Sequence, residues 1–190
     1  MHWPANVQRV NVLSSSHRLF LAADAVELAV VARTAGAAER LRLLRFAKLL
    51  TRLGNGWLYP LLSAVLIAAV EAPLRFALTS ALSVLLAFSV YPLLKGVLSR
   101  RRPCDYDRSL LCDGLEPLDR YSCPSGHAMT AAAYGVPLLF AWPDASPFVV
   151  ALCAAMSWSR VALGHHYPSD VLLGTVLGGG VALTVSSLAY

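Results

Sequence analysis

Lys95, Arg102, Ser125, Gly126, His127, Arg160, His166 and Asp170 have the residue types and spacing to do chemistry on an anion. They fall in three polar clusters: KGVLSRRRP over 95–103, PSGH over 124–127 and SRVALGHHYPSD over 159–170. Lys95, Arg102 and Arg160 adjoin or lie within apolar runs, where a charge is costly without a partner. Three such cations with few anions near them in sequence imply an anionic ligand. Phosphate suits them, because Arg offers a planar fork of donors and Lys a point charge. Ser125-Gly126 opens an apolar run, and a helix start there would turn free N–H groups toward an anion. An ordinary serine N-cap explains Ser125 equally well. His127 and His166 then suit a general acid and a nucleophile. Asp170, four residues after His166, can hold one imidazole nitrogen and leave the other free. His165 is a rival for the attacking role, and a metal site is the other reading of a His-His pair. Arg100 and Arg101 fit basic residues that merely flank a membrane helix.

The elements that must position these clusters are membrane helices. The chain has 190 residues, 57% hydrophobic and only 14% charged, with a net charge of +5. Its mean hydropathy is +0.58. Soluble domains carry about 25% charged residues, so a bilayer is the natural solvent. The basic residues lie between apolar runs rather than on a soluble face, which argues against nucleic acid. A spanning helix needs roughly 20 apolar residues. Five stretches approach that, at about 56–70, 76–98, 126–142, 147–163 and 171–188. Residues 18–32 are apolar but interrupted by Asp24 and Glu27, and read as an interfacial helix or a sixth span. Residues 38–53 set Arg40, Arg42, Arg45, Lys48 and Arg52 among leucines, as a basic helix on the membrane surface does. The start lacks a cleavable leader pattern. The expected architecture is one all-α polytopic membrane bundle of five or six spans, with residues 1–53 interfacial and 54–190 a catalytic core. Up-and-down connectivity brings all three clusters to one membrane face. Glu71-Ala-Pro73 and Trp142-Pro143-Asp144 read as tight hairpin turns. Cys104, Cys112 and Cys123 share one loop and could pair two at a time in an oxidising space. Cys153 reads as a core residue.

The clusters together resemble the signature of the type 2 phosphatidic acid phosphatase superfamily: K-x6-R-P, P-S-G-H and S-R-x5-H-x3-D. Every position matches over residues 95–170. The resemblance implies a membrane lipid phosphatase acting through a phosphohistidine. Lys95, Arg102, Ser125, Gly126 and Arg160 would hold the phosphate. His166 rather than His165 would attack, Asp170 would orient it, and His127 would protonate the leaving oxygen. It implies no metal or other cofactor, and as partners the bilayer and a lipid phosphate, among them polyprenyl phosphate or diphosphate, phosphatidylglycerol phosphate and phosphatidic acid. It also favours a bacterial inner membrane, with the site on the extracytoplasmic face. A phosphate transporter would need the cations but not the two histidines.

Overall fold

In the computed structural model the described residues are 15–70, 74–110 and 117–190. They form eight α-helices and no strand. Helix α1 is Ser15–Arg40, α2 Leu44–Gly54, α3 Leu58–Val70, α4 Leu74–Leu98 and α5 Pro103–Tyr106. After the polar loop come α6 Gly126–Ala141, α7 Ser146–Ala162 and α8 Pro168–Ala189. The Glu71–Pro73 turn, Cys112 and the polar amino-terminal stretch through residue 14 lie outside the described residues.

Three segments are long and apolar enough to cross a membrane: Leu74–Tyr106, Pro143–Ala162 and Pro168–Ala189. Their outer faces carry Leu85, Leu93, Val150, Leu172 and Val176, all more than half exposed. A water-soluble monomer rarely leaves so continuous an apolar surface uncovered, whereas lipid solvates it. The protein is therefore an all-helical membrane bundle. Leu58–Ala68 is a shorter apolar helix.

The third expected span differs from a lipid-facing one. Helix α6 has 16 residues and rises only about 24 Å, and it is buried continuously from 126 to 135. It is the axis of the bundle, packed against α4, α7 and α8. Its contact with α8 is backbone to backbone. A Cβ on Gly178 would lie 2.0 Å from the Met129 carbonyl oxygen, and one on Gly174 2.4 Å from the Ser125 carbonyl oxygen. Gly174 and Gly178 are spaced as small residues are where membrane helices pack closely. Ser125 N–H donates to the Asp170 carbonyl at 3.0 Å, which ties the starts of these two helices together.

The apolar stretch at 18–32 belongs to the longer α1. The basic segment expected over 38–53 is broken at residues 41–43, where Arg42 takes a φ of 56°, and resumes as α2. Ala47, Thr51 and Gly54 form the buried face of α2, against α7. Phe46 and Leu49 remain half exposed beside its basic residues, as suits a helix at a membrane surface. Cys104, Cys123 and Cys153 are free, so Cys104 and Cys123 are not joined to each other.

Candidate active site

The starts of α6 and α8 and the ends of α2, α4 and α7 meet at one end of the bundle, and all eight residues singled out in the sequence gather there. Lys95, Arg102, Ser125, Gly126, His127, Arg160, His166 and Asp170 are all buried. Pro168 sits in the first turn of α8, where its missing N–H costs nothing. Asp170 stands at the third position of that helix, and its Oδ2 accepts the Tyr167 N–H at 2.9 Å.

Arg102 is the hinge of the cluster. Its Nη1 donates to the His165 carbonyl at 2.6 Å and lies 3.3 Å from His166 Nε2. A guanidinium only donates, so this contact assigns the lone pair to Nε2 and the proton of His166 to Nδ1. Nδ1 faces Asp170 Oδ2 at 3.8 Å, too far for a hydrogen bond. The closer partner of Asp170 is Arg100, whose Nη1 reaches Oδ1 at 2.7 Å. Burial first, and then the positive charges of Arg102, Arg160 and Lys95, hold His166 well below its ordinary value. Its imidazole is therefore neutral at pH 7, with Nε2 unprotonated among cations.

The expectation of cations without nearby anions is corrected here. Asp119 Oδ1 receives both Lys95 Nζ and Arg102 Nη2 at 2.5 Å, and Asp119 Oδ2 accepts the Tyr91 hydroxyl at 2.9 Å. Lys95 also donates to the Tyr121 carbonyl. Burial alone would raise the Asp119 carboxyl. The hydrogen bond and charge of Lys95, then the charge of Arg102, outweigh it and hold the carboxyl below its ordinary range. The reading of Arg100 as a flanking charge is also corrected, since it is 1% exposed and ion-paired to Asp24, Glu27 and Asp170.

Ser125 precedes α6 without making the side-chain cap that a plain N-cap serine would make. Its Oγ is buried without a hydrogen-bond partner among the described residues. Arg160 donates from Nη1 to Thr51 Oγ1 at 3.3 Å, while its Nε is also unpartnered. His127 Nε2 lies 3.0 Å from the Thr51 carbonyl, which only accepts, so this nitrogen carries the proton. Thr51 thus touches both Arg160 and His127. Sequence reasoning missed it, because nothing local marks the end of a basic helix as part of a site. Asp119 was missed for the same reason. No cluster of three or more metal-ligating side chains occurs among the described residues.

A cavity of 810 Å³ opens from this cluster. Arg160, His127, His166 and Asp119 line its polar end, and α3, α4 and α6 contribute the largely apolar remainder, including Tyr59, Ala77, Val84 and Tyr134. This arrangement can hold an anionic group among cations, with an apolar extension running between helices.

Comparison with known proteins identifies the family. The family model described as the PAP2 superfamily matches residues 76–190. A decaprenylphosphoryl-5-phosphoribose phosphatase of Mycobacterium tuberculosis is 32% identical over 168 residues, covering 85% of this chain and 90% of that protein. An undecaprenyl-diphosphatase of Sulfolobus acidocaldarius is 30% identical over 109 residues, 57% of this chain and 52% of that one. Among solved structures, a transmembrane PAP2-type phosphatidylglycerolphosphate phosphatase from Bacillus subtilis superposes with a TM-score of 0.65 at 24% identity. That match covers 88% of this chain and 86% of the other, and it establishes the fold.

Proposed function

The chain belongs to the PAP2 superfamily and is a phosphoric ester hydrolase, and from that premise we propose that it hydrolyses a lipid phosphate in the membrane through a phosphohistidine on His166. The observation that carries this reading is the geometry of His166, whose Nε2 sits 3.3 Å from Arg102 Nη1. It does so at the polar end of a cavity that continues between helices.

The substrate phosphate exchanges for the Asp119 carboxylate at Lys95 and Arg102, and takes up the unpartnered donors of Arg160 Nε and Ser125 Oγ. The N–H groups at the start of α6, opened by Gly126, complete the seat. His166 Nε2 attacks phosphorus, and the bond from phosphorus to the lipid-side oxygen breaks. His127, protonated on both nitrogens once the anionic substrate is seated, donates its Nδ1 proton to that oxygen and keeps its Nε2–H on the Thr51 carbonyl, releasing an alcohol or, from a diphosphate, a monophosphate. Water then attacks the phosphohistidine with His127 taking its proton, and inorganic phosphate leaves as Nε2 is restored. Asp170 faces the Nδ1 proton throughout. The cations stabilise the charge on the transferring group, the largest contribution in most such reactions. The scheme draws its protons from His127 and the attacking water and its cations from Lys95, Arg102 and Arg160, and calls on no metal or other cofactor.

Among lipid phosphates, a polyprenyl-linked substrate is favoured by the named activities of the M. tuberculosis and S. acidocaldarius relatives. Phosphate release by detergent-purified protein tests this across polyprenyl phosphates and diphosphates, a polyprenylphosphoryl-pentose phosphate, phosphatidylglycerol phosphate and phosphatidic acid. The expected result is release from a polyprenyl-linked member, undiminished by EDTA and inhibited by vanadate. No release from any member, or EDTA inhibition reversed by a divalent metal, defeats the reading.

We further read the chain as one membrane-embedded unit of five or six spans, in a bacterial inner membrane with its site on the extracytoplasmic face. The positive-inside rule opposes that orientation. However, Lys95, Arg102 and Arg160 are needed by the phosphate and Arg100 by its carboxylates, which leaves chiefly the basic residues around α2 to be counted. An impermeant thiol reagent applied to intact cells after mild reduction, with Cys104, Cys123 and Cys153 replaced, should label Cys112. Protection until permeabilisation would place the site in the cytoplasm.

A further inference from the structure

The residues behind His166 extend beyond the region that the family model matches. Arg100 is buried with its guanidinium 3.9 Å above the Tyr167 ring, and it is held on both sides. On the catalytic side its Nη1 reaches Asp170 Oδ1 at 2.7 Å. On the other side Asp24 Oδ1 receives Nε at 3.0 Å and Nη2 at 2.6 Å, and Glu27 Oε2 receives Nη2 at 2.5 Å. Both carboxylates come from α1, upstream of the matched residues 76–190. Glu27 also accepts the Ser169 N–H and hydroxyl, each at 2.8 Å. It thereby satisfies a free N–H in the first turn of α8, the turn that carries Asp170.

We propose that Asp24 and Glu27 of α1, acting through Arg100, are positioning residues for the Asp170–His166 pair. An Arg100–Asp170 pair alone would be close to neutral, and Asp170 would offer little net charge to His166. Here three carboxylates share one guanidinium, so the group keeps negative charge and Asp170 retains an anionic Oδ2 facing Nδ1. That charge matters most when Nε2 bonds to phosphorus and the ring becomes cationic. The same contacts fix the rotation of Asp170 by holding its other oxygen. The proposal rests on His166 being the attacking group.

The other charged groups that act most on His166 are Arg102 and His165 from the adjoining loops, Arg160 from α7 and Lys95 from α4, with Asp119 paired to Arg102 and Lys95 at the same cavity. The four partners named from the loops, α7 and α4 are cationic or can become so, and among the described residues Asp170 is the carboxylate that pairs with the ring, at 3.8 Å from Nδ1. Reducing the negative charge behind Asp170 therefore disfavours the protonated imidazole, and the acid limb of the kcat profile must move to lower pH. Asp24→Asn is the cleaner variant, since it keeps an acceptor oxygen toward Arg100 and leaves the Glu27–Ser169 contacts intact. Glu27→Gln and the double variant follow it.

In purified full-length protein the double variant should lose about tenfold in kcat, the lower end of what outer partners of an oriented imidazole contribute. KM should be unchanged, the acid limb displaced to lower pH, and Asp24→Asn should give a smaller change in the same direction. A folded Asp24→Asn protein with the wild-type kcat and pH profile overturns the proposal. So does a loss of kcat with the acid limb in place, which is what a mere tether between α1 and α8 would give. His166→Ala run in parallel separates the two readings. If it retains turnover, the nucleophile assignment fails. If it is inactive while the Asp24 variant matches wild type, only the proposal about α1 fails.

Discussion

Replacing His166 by alanine is expected to reduce turnover to background, a fall on the order of 10⁵-fold or more, as loss of a covalent nucleophile does elsewhere. The neighbouring His165→Ala variant should keep turning over. The two residues are adjacent and both buried, yet the structure gives them different tasks. His165 contributes its backbone carbonyl to Arg102, and alanine retains that carbonyl. His166 contributes Nε2, the unprotonated nitrogen beside Arg102, and alanine removes it. Rapid acid-free quenching with a phosphorus-labelled substrate should trap an acid-labile, alkali-stable phosphoenzyme in wild type and none in His166→Ala. Label on any other residue, or an active His166→Ala enzyme paired with an inactive His165→Ala enzyme, would refute the assignment.

Gly178→Leu is the second change with a large expected effect, and it acts on the frame rather than the chemistry. Even a Cβ at this position would approach the Met129 carbonyl oxygen to 2.0 Å and its carbon to 2.8 Å. The obstacle is backbone, so no side-chain rotation relieves it and α6 and α8 must separate. Ordinary overpacking costs about 1–3 kcal/mol, and displacement of two backbones at the bundle axis should reach or exceed the upper end. The helix starts joined by the Ser125–Asp170 contact would part as well, so activity should fall with stability. Thermal unfolding in detergent should show a large drop in Tm and size exclusion a loss of the single peak. Gly180→Ala is the control on the same helix, because nothing lies within 4 Å of its Cβ and helix propensity favours alanine. Equal damage from both changes would mean that α8 tolerates no substitution, and the close approach at Gly178 would explain nothing.

The Gly174–Gly178 spacing was visible in the sequence, but a glycine in an apolar run does not say which neighbour approaches it. Hydropathy has the same blind spot. Helix α6 and the lipid-facing helices are similarly apolar, and periodicity cannot distinguish burial in protein from burial in lipid. The count differs for a separate reason: α6 has only 16 residues and Leu58–Ala68 is shorter still, so three segments meet the length and composition of a span among the described residues, where the sequence alone counted five.

By itself the sequence determined the all-helical membrane class and the eight residues that converge. Apolar run length is a local property, and the three clusters carry their own spacing and their own helix starts, such as Pro168 with Asp170 at the head of α8. Only the tertiary structure decided what those residues touch. Arg100 finds Asp24 and Glu27 more than 70 positions away, His127 finds Thr51, and Asp119 closes on Lys95 and Arg102 from a loop with no pattern of its own. The physical reason is that a buried charge or donor must be satisfied wherever the packing of helices brings a partner. That pairing depends on how whole helices are set against one another, which neither periodicity nor motif spacing encodes.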